Sequence, residues 1–208
     1  MAEKIKIGGI DPGLASGGFV VLESWPDKVI AAYSLVEKKG GAKKARAEVD
    51  QLLTFIDGWS DNEFTAAALR ALAWRDSFIA ALDDFESNHG AVDVFAIESF
   101  VDQRSRAKEE KAQLIRNRWH TPLVMGHLAQ VLEDRGATMR NHKVFYQNAG
   151  IVIRQWSTEL SALKSRSDRS QDVVVPGDVA VTNDHTRKAL AHAKALSLRL
   201  QHKEMQCQ

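Results

Sequence analysis

The sequence predicts an α/β protein organised around a mixed β-sheet, and three observations support this fold class. Three short apolar runs separated by tight turns open the chain, a pattern typical of an antiparallel meander. Apolar residues then recur at helical spacing, and strand-like runs at 92–98 and 144–146 interrupt the helical segments. Strands that alternate with helices favour a sheet covered by helices.

The N-terminal meander is predicted from its turns. An Asp-Pro-Gly turn at 11–13 follows the first apolar run, and the second run begins at hairpin distance from it. A second turn at Pro26 separates the second run from the third. The three strands are predicted at residues 5–10, 18–22 and 29–36.

The helices are predicted from periodicity and from their end signals. Ser60 followed by Glu63 has the form of a capping box, and a long helical segment near 58–90 is expected to end at Gly90. Thr121 with the following proline is typical of a helix start. The other helical segments are predicted at 49–56, 103–118, 121–136 and from 183 onward.

Composition narrows the class of protein. The 208 residues predict one domain spanning 1–208, large enough to bury its own core. A formal charge of +1 excludes a histone-like or acidic-tail protein, and the single Cys207 excludes an internal disulfide. No membrane-spanning apolar run or signal peptide is recognisable, so we expect a cytoplasmic protein. The polar segment near 159–183 is interpreted as mobile.

Acidic side chains fall at the ends of predicted elements. Asp11 ends the first strand, Glu98 ends the strand at 92–98, and Asp184 with His185 opens the last helix. Strand ends in open α/β sheets are where sites form. If the first and fourth strands are neighbours, two carboxylates lie side by side and require a shared proton or a cation. Oxygen ligands of this kind suit Mg²⁺ or Mn²⁺.

Each of these residues also has a purely structural interpretation. Asp11 belongs to a common turn sequence, and Glu98 could pair with Arg104 or Arg106. Asp184 is well placed as a helix N-cap. The residues alone leave these alternatives open.

Four segments, in order, resemble motifs of the RuvC-type Holliday-junction resolvases, including phage and prophage members. The segment IGGIDPGLASGGFVVLE resembles the first motif, and VFAIESF at 94–100 resembles the second. MGHLAQVL at 125–132 is similar to the Gly-centred helix of that family, and DHTRKALAHAKAL at 184–196 resembles the fourth motif. The resemblance spans most of the chain.

The resemblance implies an RNase H-like fold, with a mixed five-stranded sheet flanked by helices, and a homodimer. It also implies a Mg²⁺- or Mn²⁺-dependent endonuclease that resolves four-way DNA junctions, with forks or flaps as further substrates, in a bacterial or phage-infected cell. Asp11 would bridge the metals, Glu98 would hold the second, and His185 would lie in the C-terminal metal position, with Asp184 assisting. The helix at 122–136 is expected at the dimer interface.

Lys188 departs from the family pattern, because the family has Asp at this position, three residues after His185. Three interpretations stay open: Asp184 replaces the missing ligand, Lys188 stands where a cation would and so belongs to the catalytic set, or cleavage is weakened. A surface ion pair between Asp184 and Lys188, spaced i, i+4, is the simplest alternative.

Basic residues cluster in the loop between the third predicted strand and the first helix, and again directly after Glu98. Between 101 and 120, six positive charges face three negative ones, and such charge is what phosphate contacts need. A solvated helix face would have the same pattern. By resemblance, Phe100 would lie near separated bases. The expected DNA contacts are Lys43, Lys44, Phe100, Arg104, Arg106, Lys108, Arg116 and Arg118.

The leading hypothesis is therefore a metal-dependent, structure-selective endodeoxyribonuclease. The first rival is a protein of the same fold that binds branched DNA without cutting it, because of Lys188. The second rival is an actin-like phosphotransferase, whose phosphate loop also begins Asp-x-Gly. The absence of a second Gly-rich loop in 208 residues argues against that rival.

Overall fold

The structure is a computed structural model that describes residues 4–12, 16–25, 27–36, 63–99, 120–135, 144–147, 173–174, 180–181 and 184–206. The strands are β1 (Ile5–Asp11), β2 (Ser16–Ser24), β3 (Lys28–Val36), β4 (Val94–Glu98), β5 (Val144–Gln147), β6 (Val173–Val174) and β7 (Ala180–Val181). The helices are α1 (Glu63–His89), α2 (His120–Asp134) and α3 (Asp184–Gln206).

The main sheet has the strand order β3-β2-β1-β4-β5. The first three strands pair antiparallel in chain order, which confirms the predicted meander. β4 pairs parallel with both β1 and β5, so the sheet is mixed. An α/β fold with a mixed sheet is thereby confirmed, and β1 lies at its centre, where the pairing changes from antiparallel to parallel.

The two faces of the sheet are covered by different helices. Alternate residues of a strand point to opposite faces, and Ile10 and Ile97 join the apolar cluster formed with α1 and α2. Ile7 and Ala96 point the other way and pack against α3. The sheet is therefore the middle of three layers, and each face is buried by its own helices.

The end of α1 follows the predicted signal. Gly90 has a φ of +75°, and its N–H donates to the carbonyl of Glu86, which closes the last turn of the helix. Within that helix, Phe78 meets Phe19 of the sheet edge-on, with ring centroids 5.4 Å apart. Aromatic contacts of this geometry add to the burial energy, so α1 is firmly seated on the meander.

Several element boundaries differ from the sequence analysis. β4 begins at Val94 rather than at residue 92, because Asp93 receives the Lys6 N–H on its side chain and ends the ladder there. The strands β6 and β7 were not predicted, since two residues are too few to show a period. The expected helices at 49–56 and 103–118 lie outside the described residues.

The predicted domain subdivisions are only partly covered by the structure. The long helical segment near 58–90 contains α1, whose described part begins at Glu63. The segment near 159–183 holds the short β6–β7 pair, and its other residues lie outside the described ranges. α2 ends at Asp134, two residues before the expected Gly136.

Candidate active site

Strand register places two carboxylates side by side. In the parallel β1–β4 pair, Ile10 lies opposite Ile97, and Asp11 and Glu98 are the next residues of their strands. Alternation directs both acidic side chains to the face covered by α3, because the isoleucines before them point to the α1–α2 face. The expected adjacency of the first and fourth strands is confirmed.

Glycines bring the backbone of α3 directly onto this face. A Cβ at Gly18 would lie 2.3 Å from the carbonyl oxygen of His185, and one at Gly9 would lie 2.0 Å from that of Ala189. No side chain fits into such gaps. Gly18 is also the register partner of Asp11. The first turn of α3 is therefore held against the strand pair that carries Asp11.

This close approach creates a direct contact between helix and strand. The Nδ1 of His185 lies 2.7 Å from Oδ2 of Asp11, across 174 positions of sequence. The Asp11 side chain is 2% exposed and also hydrogen-bonds the Glu98 carboxyl group. Asp11 thus accepts from a ring nitrogen on one side and contacts a second carboxyl group on the other.

The two carboxyl groups have opposite pKa shifts. Burial raises the pKa of Asp11, but the hydrogen bonds from His185 and Glu98 and the charge of Lys188 outweigh it, so the net direction is downward. Burial, the hydrogen bond with Asp11 and the charge of Asp11 raise the pKa of Glu98 to about 8. At neutral pH the metal-free pair therefore holds one proton, which Glu98 donates to Asp11.

Two further residues of α3 act on the pair. The charge of Lys188 lowers the pKa of both carboxyl groups. His192 is 1% exposed, and burial lowers its pKa to about 4, so the ring is neutral. His185, Lys188 and His192 are spaced i, i+3 and i+7, which places them on one side of the helix.

The donor chemistry of the pair fits a single hard cation. Two carboxylates that share a proton can exchange it for Mg²⁺ or Mn²⁺, both of which prefer oxygen ligands. Among the described side chains, no three His, Cys, Asp or Glu groups are arranged to hold an ion together. His185 already binds Asp11 through Nδ1, so as placed it orients this carboxylate.

Comparison with known proteins assigns this chain to no family. The chain matches no model of a known protein family. A search of curated proteins also finds no match. The resemblance to RuvC-type resolvases therefore stays a prediction from the motif residues quoted above. Of these residues, Asp11, Glu98 and His185 lie together in the structure.

The remaining predicted site residues are described only in part or not at all. Asp184 is the first residue of α3, and only its backbone is described. The expected DNA contacts Lys43, Lys44, Phe100, Arg104, Arg106, Lys108, Arg116 and Arg118 lie outside the described residues. In the part of the chain that is described, no helix is long and apolar enough to cross a membrane.

The sequence analysis did not assign a role to the residues that seat α3. The double glycines at 8–9 and 17–18 were a usable signal, because glycine inside a strand often marks a close backbone approach. Gln147 was also missed, and it pairs in register with Glu98 at the end of β5. Three neighbouring strands thus end in polar residues at the same edge of the sheet.

Proposed function

We propose that this protein is a metal-dependent, structure-selective endodeoxyribonuclease that resolves Holliday junctions or other branched DNA. The observation that carries the proposal is the hydrogen-bonded contact between Asp11 and Glu98, which lie 87 positions apart and meet on the α3 face of the sheet. A turn-forming aspartate or an arginine-paired glutamate would not require this convergence. The resemblance of the motifs around these residues supports the choice of DNA as substrate.

In this proposal Asp11 and Glu98 hold the cation. When bound, the ion would activate a water molecule for in-line attack on a backbone phosphate and stabilise the leaving oxygen. His185 fixes the orientation of the Asp11 carboxylate through Nδ1. A carboxylate that binds a metal ion needs such a partner, because one of its oxygens must point at the ion. Burial of Asp11 excludes competing water and strengthens its interaction with a cation.

The substrate and assembly follow from the resemblance. The basic residues at 101–120 come directly after β4, so in this proposal they contact phosphates beside the catalytic strand end. A two-fold dimer would present two sites to a junction of matching symmetry. α2 buries Leu128 and Leu132 in the core with α1, so a dimer contact through this helix would use its other faces.

The proposal is tested with Asp11→Asn, which keeps the size of the side chain and removes its charge. We expect the variant to lose Mg²⁺-dependent nicking of a synthetic four-way junction by at least ~100-fold, because one metal-holding carboxylate is missing. Junction binding in a gel-shift assay should be retained. Asp76→Asn, an exposed acid on α1, serves as the matched control and should cut normally.

The outcomes separate the candidate functions. Equal cleavage by Asp11→Asn and the unmodified protein would overturn the site. Tight junction binding without cleavage by the unmodified protein, in both Mg²⁺ and Mn²⁺, would favour the branched-DNA-binding protein. The charge of Lys188 beside the carboxylates is the observation that keeps this second candidate in the test.

A further inference from the structure

Lys188 projects from the part of α3 that touches the sheet. The helix backbone meets the strands at His185, above Gly18, and at Ala189, above Gly9. Lys188 lies between these two contact points and is half-buried. Its charge acts on Asp11, Glu98 and His192, which come from two strands and from its own helix. The charge of Lys188 therefore acts on the carboxylate pair from the helix that covers it.

A charge count over these described side chains limits what the pair can bind. With both carboxylates ionised, Asp11 and Glu98 carry two negative charges and Lys188 carries one positive charge. One divalent cation would leave a single positive charge, which one phosphodiester group neutralises. A second divalent cation would leave three positive charges in a largely buried site, where unbalanced charge is costly.

We propose that Lys188 takes the place of a second cation, so that the Asp11–Glu98 pair binds one divalent ion and the ammonium group faces the substrate phosphate. The inference rests on the proposed metal-dependent function and specifies its metal content. In this arrangement part of the positive charge that the substrate phosphate requires would come from the Lys188 side chain. The site is then electrically neutral with one ion and one phosphodiester bound.

The test counts metal ions without any cleavage assay. Mn²⁺ alone is titrated into the full chain by calorimetry, and bound Mn²⁺ is counted independently by electron paramagnetic resonance. We expect one ion per chain for the unmodified protein and two for Lys188→Asp. Lys188→Met should still bind one ion, about tenfold or more tightly, because a repelling charge near the ion is removed.

Lys203→Asp provides the matched control, since it makes the same charge change at an exposed position of the same helix. It should bind one ion with unchanged affinity. Circular dichroism and thermal melting establish that each variant is folded. Should Lys188→Asp fail to fold, Lys188→Met decides, because unchanged affinity in that variant would overturn the role of the ammonium charge.

Each alternative result has a distinct meaning. Two ions in the unmodified protein would overturn the inference and leave the nuclease proposal standing. One ion in both the unmodified protein and Lys188→Asp would show that Lys188 does not limit the metal content. No ion in the unmodified protein, with binding restored in Lys188→Asp, would overturn the inference and favour the DNA-binding protein. No ion in any variant would overturn the nuclease proposal itself.

Discussion

The seating of α3 on Gly18 gives the most direct test of how the candidate site is built. Gly18→Ala adds one methyl group, whose carbon would lie 2.3 Å from the His185 carbonyl oxygen and 2.6 Å from the Thr186 nitrogen. Both neighbours are backbone atoms, so rotation of a side chain cannot relieve the overlap. The helix must therefore move away from the strand.

The size of this movement follows from ordinary contact distances. Bringing the pair from 2.3 Å to 3.4 Å, where normal van der Waals contact begins, requires a displacement of about 1 Å. The same displacement would lengthen the bond of 2.7 Å between His185 and Asp11 beyond hydrogen-bonding range. Overpacking of this kind costs about 1–3 kcal/mol, which lowers the Tm of a chain of this size by about 2–12 °C.

Two measurements check this expectation. Thermal unfolding followed by circular dichroism gives the Tm, and ¹⁵N NMR of the imidazoles reports whether Nδ1 of His185 keeps its partner. The signal is assigned by comparison with His185→Asn. Gly126→Ala is the matched control, because nothing lies within 4 Å of a Cβ at this exposed position of α2. It should gain about 0.5–1 kcal/mol from helix propensity.

Unchanged Tm and an unchanged His185 signal in Gly18→Ala would refute the close seating of α3. A loss of Tm with an unchanged His185 signal would mean that the strand yields instead of the helix. In that case the overlap would still be real, but Gly18 would not control the geometry of the site.

Two other predictions concern stability. The metal-free protein should lose up to about 1.4 kcal/mol per pH unit between about pH 6.5 and 8, because the folded state keeps the Glu98 proton, with a pKa of about 8, that the unfolded chain releases near its ordinary value of 4.5. Below about pH 6.5 buried His192, with a pKa of about 4, opposes this slope, because the unfolded chain binds a proton on that imidazole that the folded state does not. Urea unfolding across this pH range measures how the free energy of unfolding changes with pH. The Glu98→Gln variant should show a flatter pH dependence. A flat profile in the unmodified protein would contradict the shared proton. Asp27→Ala should cost about 1–3 kcal/mol, since it leaves the fully buried hydroxyl of Ser197 without its 2.7 Å acceptor and the nearby Lys194 without its ion pair. Denaturant unfolding measures the change in the free energy of unfolding. The Asp27→Asn variant should restore part of the stability that Asp27→Ala loses. A loss below about 0.5 kcal/mol in Asp27→Ala would contradict the prediction.

Much of the architecture was predictable because its causes are local. The meander follows from turns between short apolar runs, and the end of α1 follows from a glycine that can adopt positive φ. The adjacency of Asp11 and Glu98 followed from a general rule about strand ends once β1 and β4 were assumed to be neighbours. These features depend on a few consecutive residues or on the chirality and order of strands.

The contact between α3 and the meander could not be predicted in the same way. Periodicity identifies the apolar side of α3, which carries Ala189, Ala193 and Leu196, but not the strand that it meets. Gly9 and Ala189 are 180 positions apart, so no local pattern joins them. The bond between His185 and Asp11 depends on this long-range seating, and so does the position of Lys188.

The order of elements along the chain has a consequence for biosynthesis. The strands that carry Asp11 and Glu98 leave the ribosome before α3 is translated, so a nascent chain holds two adjacent acids without the helix that supplies their cationic and imidazole neighbours. Until residues 184–206 have been translated, neither the His185 contact with Asp11 nor the charge of Lys188 is present. The candidate centre can therefore be assembled only after α3 has been translated.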